Sequence, residues 1–294
     1  MIDARSDRRK RLTGIALMCG AVACFACLDT SAKFLSREMS VVQVVWARYA
    51  GAFALAFLFS NPITHPGLVR TVRPGLQIAR AVALCASSFL NFLALRFLQL
   101  DQALAITFST PFLVAVLAGP ILDEWVGARR WAAIGVGFIG VLVVTRPGFG
   151  AIHPAALLSL AAAFTLAFYN VTTRLLARTD SSVTTLFYSN FVGLVITTPM
   201  LSSVWTAPAG LREIVLMTAV GALGSIGHYL LIVAHRFTPA STLSPFMYTQ
   251  LVWVIALGYL VFGDLPNDWT LAGAGIVVAS GLYLLHRERI KHGR

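Results

Sequence analysis

Several residue groupings in this sequence stand at spacings that chemistry uses, and each is read against the segment that carries it. Cys24-x-x-Cys27 has the spacing of a redox or metal pair. It lies in an apolar helical run with no second pair, so small buried thiols account for it better. Gly135, Gly137 and Gly140 spell G-x-G-x-x-G, a dinucleotide pattern that works only where a strand opens into a helix beside water. Inside an apolar run, small residues that let helices approach closely are the better account. Asp29 and Lys33 are four residues apart in the order that favours pairing on one helix face. They read either as a locally neutralised pair or as part of an outer gate, with Asn170 and Arg174 as the counterpart at the opposite end.

Other polar residues recur at helical spacing inside apolar runs. Ser87, Ser88 and Asn91 form one such set, and Ser225, His228 and Tyr229 form another. His228 is the one histidine clearly in mid-span. Interhelical hydrogen bonding and ligand contact both fit it, whereas a metal would need a second ligand that no spacing supplies. Thr107, Ser109, Thr110 and Pro111 make a third set, and Ser244, Pro245, Tyr248, Thr249 and Gln250 a fourth. A mid-span proline frees a backbone carbonyl and permits bending, either as a static kink or as part of a moving path. Tyr229, Tyr248 and Trp253 read as walls of a cavity suited to flat or hydrophobic groups, or as ordinary packing aromatics. No cofactor and no metal site is expected.

The elements that position these residues follow from composition. Of 294 residues, 57% are hydrophobic and 12% charged, about half the charged share of an average soluble domain. Water-soluble chains cannot hide that much apolar surface, but lipid removes the limit. Stretches of about 20 mostly apolar residues fall near 12–36, 41–60, 75–98, 102–122 and 130–146. A second set falls near 153–178, 182–204, 211–236, 239–262 and 269–286. The expected fold is therefore all-α and integral to the membrane, with ten transmembrane helices and both termini on one side. The basic N-terminus before an apolar run imitates a signal peptide, but the run reaches spanning length and reads as a retained first helix.

The net charge of +11 comes from 23 Lys+Arg against 12 Asp+Glu. The basic residues sit at span ends rather than on a soluble face, which argues against nucleic acid as a partner. With the N-terminus cytoplasmic, 17 of them fall on the cytoplasmic side and 5 outside, with Arg48 inside the second span. That asymmetry supports an even number of spans.

An internal repeat organises the chain. Residues 20–37 align with 161–178, setting Asp29 against Asn170, Lys33 against Arg174 and Arg37 against Arg178. Ser88 falls opposite His228, and Glu124 opposite Asp264. Each half, 1–148 and 149–294, holds five spans. An odd number forces the halves to insert as two inverted five-helix repeats, a design in which a small-molecule site lies near the midplane. A membrane enzyme would need an Asp pair, an H-E-x-x-H or a Ser/His dyad. None is evident, and Asp29 is the only acid well within a span.

Ten helices in two halves, Pro111 and Pro245 in the fourth and ninth spans, and an acid before a tryptophan at two helix starts (Glu124 to Trp131, Asp264 to Trp269) carry a family likeness. The chain resembles the drug/metabolite transporter superfamily of EamA type over roughly 12–286, and within it the aromatic amino-acid exporter branch. The resemblance implies the bacterial inner membrane; separately, a monomer is the expected state. Its central cavity would be lined mainly by the third, fourth, eighth and ninth helices and would export a small-molecule substrate. A multidrug carrier on the same scaffold is the alternative.

Overall fold

The computed structural model describes the backbone of residues 2–59, 61, 66–97, 103, 106–107, 109–125, 127–145 and 154–263. It also describes 268–269, 271–273, 275–276, 279–280 and 283. Side chains are described for these except 2–7, 59, 66, 130, 141, 144–145, 241, 244 and 245. Asp264 and Pro266 thus lie outside the described residues, as do the side chains of Ser244 and Pro245.

Apolar runs become helices wherever lipid offers the backbone no alternative partner. They are α1 (Ile2–Leu35), α2 (Val41–Phe59), α3 (Pro74–Ala94), α4 (Thr110–Leu122) and α5 (Ala128–Thr145), then α6 (Ala156–Leu176), α7 (Ser182–Leu201), α8 (Leu211–Phe237) and α9 (Gln250–Phe262). Helical positions between 268 and 283 lie where the tenth span is expected, and Ser280 Oγ donates to the Ala133 carbonyl of α5 at 2.7 Å. No strand occurs among the described residues. Six helices (α1, α2, α3, α6, α7 and α8) are each long and apolar enough to cross a bilayer.

Local chemistry sets the ends. Ser40 and Ser181 accept the amides of Gln43 and Thr184, at 3.2 and 3.0 Å, and so start α2 and α7. Pro74 opens α3, where its missing N–H costs nothing. Gly263 closes α9 in the left-handed region at φ 71°.

Two spans are broken. Pro111 sits in the first turn of α4, after a turn at Ser109, instead of kinking one continuous helix. The ninth span runs as a single helical turn (Ala240–Leu243), then a 3-10 helix (Ser244–Thr249) opened by Pro245, then α9. In both places proline starts a segment because it lacks the donor that would continue the previous one.

Burial is inverted relative to a soluble protein. Leu58, Leu157, Leu211 and Leu260 are 70–79% exposed, while Gln43, Gln77, Arg80 and Ser189 are 0% exposed. Apolar surface faces outward where lipid meets it, and polar groups find partners inside. Trp125, Trp205 and Trp269 are also exposed, as an aromatic belt requires.

The main helix pairings are α1 along α8, α3 along α6, and α2 against both α7 and α8. At the α2–α8 crossing the backbones touch through Gly51 and Gly221. A Cβ at Gly221 would lie 2.6 Å from the Gly51 Cα and 3.0 Å from the Ala52 nitrogen. Backbone cannot yield as a side-chain tip can. Gly221→Val is therefore expected to destabilise the bundle by about 3 kcal/mol, lowering the melting temperature of the purified protein. Gly20→Val, whose Cβ meets only the Leu230 side chain at 3.4 Å, is the milder control.

Gly137 has the packing role that its sequence context favours. A Cβ there would strike the Tyr248 ring at 2.6 Å, so the glycine exists for helix contact and not for phosphate.

Candidate functional site

The polar residues of α1, α2, α3, α4 and α8 converge on one cavity of about 100 Å³ in the middle of the bundle. Ser88, Asn91, Thr107, Thr110 and His228 all line it, with Pro111 at its edge and Asp29 on its α1 wall. Met247 and Gln250 reach it from the broken ninth span. The remaining walls are apolar, chiefly Phe25, Leu28, Phe92 and Leu231.

Arg48 organises the cavity. Its Nη1 donates to Ser88 Oγ and, at 3.2 Å, to Tyr49 Oη, and its Nη2 meets Nε2 of His228. A guanidinium only donates, so Nε2 is the acceptor and the imidazole proton sits on Nδ1. From there it is donated to Tyr169 Oη, 3.0 Å away. Phe25 packs against the imidazole at 4.7 Å between ring centroids. His228 is thereby fixed as a neutral ring that steers Arg48, which is the interhelical bonding role, and it also faces the cavity.

Behind this group lies a second guanidinium. Arg80 is 0% exposed, with its Cζ 4.9 Å from the Tyr169 ring centroid. Its Nη1 donates to Thr173 Oγ1 at 3.2 Å, and its Nη2 to the Thr185 carbonyl and Ser189 Oγ. Charge counting by sequence places Arg80 at a span end, but the structure buries it. Neither Arg48 nor Arg80 has a carboxylate partner among the described residues. A cation so placed is costly in a bilayer, about 2.5–3.5 kcal/mol on insertion scales.

The proposed Asp29–Lys33 pair does not form. Asp29 Oδ2 accepts from Gln250 Nε2 at 3.0 Å, and Lys33 places its Nζ 4.4 Å from the Phe262 ring centroid. The α1 rotation that gives Asp29 to the cavity aims Lys33 at α9.

The opposite gate pair divides. Asn170 bonds back to the Leu166 carbonyl at 2.8 Å and does not join Arg174. Arg174 instead donates from Nε to Glu124 Oε1 at 2.8 Å and from Nη1 to the His235 carbonyl. Glu124 also accepts the Ala240 amide at 3.0 Å and stands 3.6 Å from Arg178 Nη2. One carboxylate thus ties the end of α4 to α6 and the start of the ninth span, and the arginine it holds adds α8. Asp180, at the same end, accepts from Thr71, from Gln77 at 2.8 Å and from the Val72 amide. Partial burial alone would raise its pKa, but these donors together hold it below the usual carboxylate value. The other end of the bundle is closed by Gln43, whose Nε2 donates to the Thr206 carbonyl at 2.6 Å while its Oε1 accepts the Thr206 amide at 2.9 Å.

Three aromatic wall candidates lie elsewhere. Tyr229 and Trp253 are 42% and 47% exposed and face outward. Tyr248 is buried, but its ring packs behind the cavity against Gly137. Apolar outward faces cannot be told from cavity faces by residue type, because both are aromatic-rich. Phe25 and Met247 take the wall positions instead.

The cavity has room for several waters and falls short of the ~300–1,000 Å³ of small-molecule pockets. A metabolite of ordinary size does not fit it in this conformation. A polar chamber at mid-depth, flanked by two broken helices and closed at both ends by side-chain ties, defines a carrier of small molecules and not an enzyme. The chain belongs to the EamA-like transporter family, whose sequence model matches residues 12–146 and again 153–285.

Curated relatives span nearly the whole chain. An S-adenosylmethionine uptake transporter of Rickettsia felis is 27% identical over 280 residues, covering 95% of this chain and 94% of the relative. A riboflavin transporter of Vibrio cholerae is 27% identical over 296 residues, covering 98% of each. A pseudopaline exporter of Pseudomonas aeruginosa is 22% identical, covering 94% of this chain and 97% of that one. A solved crystal structure superposes with a TM-score of 0.74 at 18% identity, covering 96% of this chain and 98% of the other; a likeness at that identity speaks for the fold alone. The protein is a multi-pass membrane transporter of a small molecule.

Proposed function

We propose that the protein is a secondary transporter that exports small zwitterionic metabolites by alternating access around the midplane cavity. Amino acids come first among them, including aromatic and hydrophobic ones. The observation that carries this reading is a pair of opposite charges on separate walls of one cavity. Arg48 on α2 and Asp29 on α1 both face it and form no ion pair with each other. A zwitterion brings a carboxylate for the Arg48 fork and an ammonium for the Asp29 carboxylate. The apolar walls then suit a hydrophobic side chain. S-adenosylmethionine, carried by one relative, ends in an amino-acid head, whereas riboflavin does not. The substrate reading therefore rests on Arg48 and Asp29 and not on the relatives' names.

Alternating access needs two halves that exchange roles, and the helix pairing supports it. If α1 corresponds to α6, α2 to α7 and α3 to α8, the α1–α8 contact becomes α6–α3 and the α2–α8 contact becomes α7–α3. Both sets of contacts are present. Halves 1–148 and 149–294 then insert with opposite topology. The arginine asymmetry puts both termini in the cytoplasm of a bacterial inner membrane. Export is the direction that the family resemblance implies; relatives are named for uptake and for export alike.

Purified protein in proteoliposomes, with and without a pH gradient, tests the reading. Saturable flux of L-phenylalanine or L-methionine is expected, with other amino acids competing. His228→Ala and Asn91→Ala should each lower it about tenfold, the loss of one hydrogen bond to a charged group, with membrane insertion unchanged. If no amino acid shows saturable flux under any gradient, the substrate reading is wrong. If amino acids fail to compete with a hydrophobic drug that is carried, the multidrug alternative replaces it.

A further inference from the structure

A second opening lies away from the substrate cavity and shares no lining residue with it. It is a groove of about 610 Å³ on the outer surface between α1, α8 and α9, floored by Cys27, Thr30, Val215, Leu257 and Val261. Phe34 and Arg212 stand at one end of it. At that end three cations gather on two phenylalanines. Phe34 and Phe262 stack with ring centroids 5.4 Å apart. Arg212 Cζ lies 4.6 Å from the Phe34 centroid, Lys33 Nζ 4.4 Å from the Phe262 centroid, and Arg37 Cζ 5.8 Å from it.

None of the three cations forms an ion pair among the described residues. Among the described residues, none of Glu38, Glu213 and Asp268 pairs with them. Glu38 is exposed, and Glu213 is buried, with its Oε2 3.5 Å from where a Cβ on Gly210 would stand. Three like charges gathered on one stacked pair of rings repel one another, more strongly at a bilayer interface than in water. Cation–π contact to phenylalanine offsets only part of that. An anion at the mouth would remove the repulsion, and the apolar groove below it calls for hydrocarbon. A phospholipid with an anionic headgroup supplies both.

We propose that this groove is a binding site for one anionic phospholipid, its phosphate on Lys33, Arg37 and Arg212 and an acyl chain along α1, α8 and α9. The site is independent of which substrate the cavity carries. Because α1 and α8 also form the cavity, a lipid wedged on their outer side braces the helices that hold Asp29 and His228.

Native mass spectrometry of the full-length protein from a neutral detergent tests the site. The probes are phosphatidylglycerol and phosphatidylcholine with identical acyl chains, and glycerophosphoglycerol, which has the headgroup without chains. Phosphatidylglycerol should be retained about tenfold better than phosphatidylcholine, in line with the attraction of anionic lipid to clustered basic residues. Glycerophosphoglycerol should not compete. Lys33→Gln with Arg212→Gln should erase the preference, while Arg96→Gln, an exposed cation elsewhere, should keep it. Val261→Trp, which fills the groove and leaves every charge in place, should reduce retention of both lipids. Equal retention of the two lipids overturns the proposal, as does a preference that survives the double substitution. Competition by glycerophosphoglycerol equal to that of the intact lipid would also overturn it, since the groove would then play no part.

Discussion

Arg48→Gln is expected to lower saturable flux by roughly 100-fold or more while leaving the protein inserted and at least as heat-stable as the unchanged chain. The two halves of that expectation come from one fact. Arg48 is 5% exposed at the centre of the bundle and has no carboxylate partner among the described residues. A charge kept there without a carboxylate in direct contact weakens the fold, and Asp29 on the facing wall offsets that only in part, so removing it does not hurt folding. The directly bound carboxylate it lacks is the one a substrate brings. Glutamine can still donate to Ser88 or accept within the same space, so the hydrogen-bond loss is partial while the charge loss is complete. Arg48→Lys restores the charge without the planar fork that holds Ser88, Tyr49 and His228 together, and should recover only part of the flux. Initial rates in proteoliposomes, normalised to inserted protein and set beside melting temperatures, separate the cases. A loss of flux that tracks a loss of folded protein would mean that Arg48 is structural. Normal flux in Arg48→Gln would remove it from the site.

Much of the architecture is legible in the chain because lipid makes the rules simple. A run of apolar residues must be helical, so the ends of α2, α3, α7 and α8 fall within about four residues of where hydropathy puts them. Polar residues in mid-span must face protein, so Ser88, Asn91, Thr107, Thr110 and His228 meet at one cavity. What periodicity does not reveal is partner choice. Asp29 and Lys33 share a helix face by spacing, yet a turn of helix places one at the cavity and the other on Phe262. Arg80 looks like another span-end cation, because long side chains usually snorkel to the interface. Here Thr173, Thr185 and Ser189, each unremarkable alone, surround it with acceptors contributed by α6 and α7. Arg48 carried the one available signal, a basic residue well inside an apolar run. Tyr229 and Trp253 show the converse limit: in a membrane an aromatic serves equally on the lipid face, so residue type cannot assign it inward.

Glu124 is the residue whose loss should most change the balance of conformations. Its position, an acid shortly before Trp131, is visible in the sequence as a helix-start motif, but its partners are not. The carboxylate accepts from Arg174 and the Ala240 amide and lies close to Arg178, so α4, α6 and the one-turn helix before Pro245 are tied at one end of the bundle. With side-chain exposures of 12% and 17% for Glu124 and Arg174, the pair is neither fully screened nor fully desolvated. Its rupture is worth about 1–3 kcal/mol, which is roughly a fivefold to 150-fold shift between closed and open forms of that end. Glu124→Gln keeps the shape and one acceptor oxygen but loses the charge, which leaves Arg174 without its ion pair. Cysteines placed at Val22 and Leu84, on the cavity wall, in a background without the native thiols, should then react faster with a membrane-impermeant thiol reagent from the Glu124 side by about tenfold. Reactivity from the opposite side should fall. Adding Arg174→Met to Glu124→Gln removes the stranded cation, and the double variant should be less perturbed than the sum of the two single variants. Equal labelling in Glu124→Gln and the unchanged chain would make this cluster a static fastening. Faster labelling from both sides together would indicate a loosened bundle and not an opened gate.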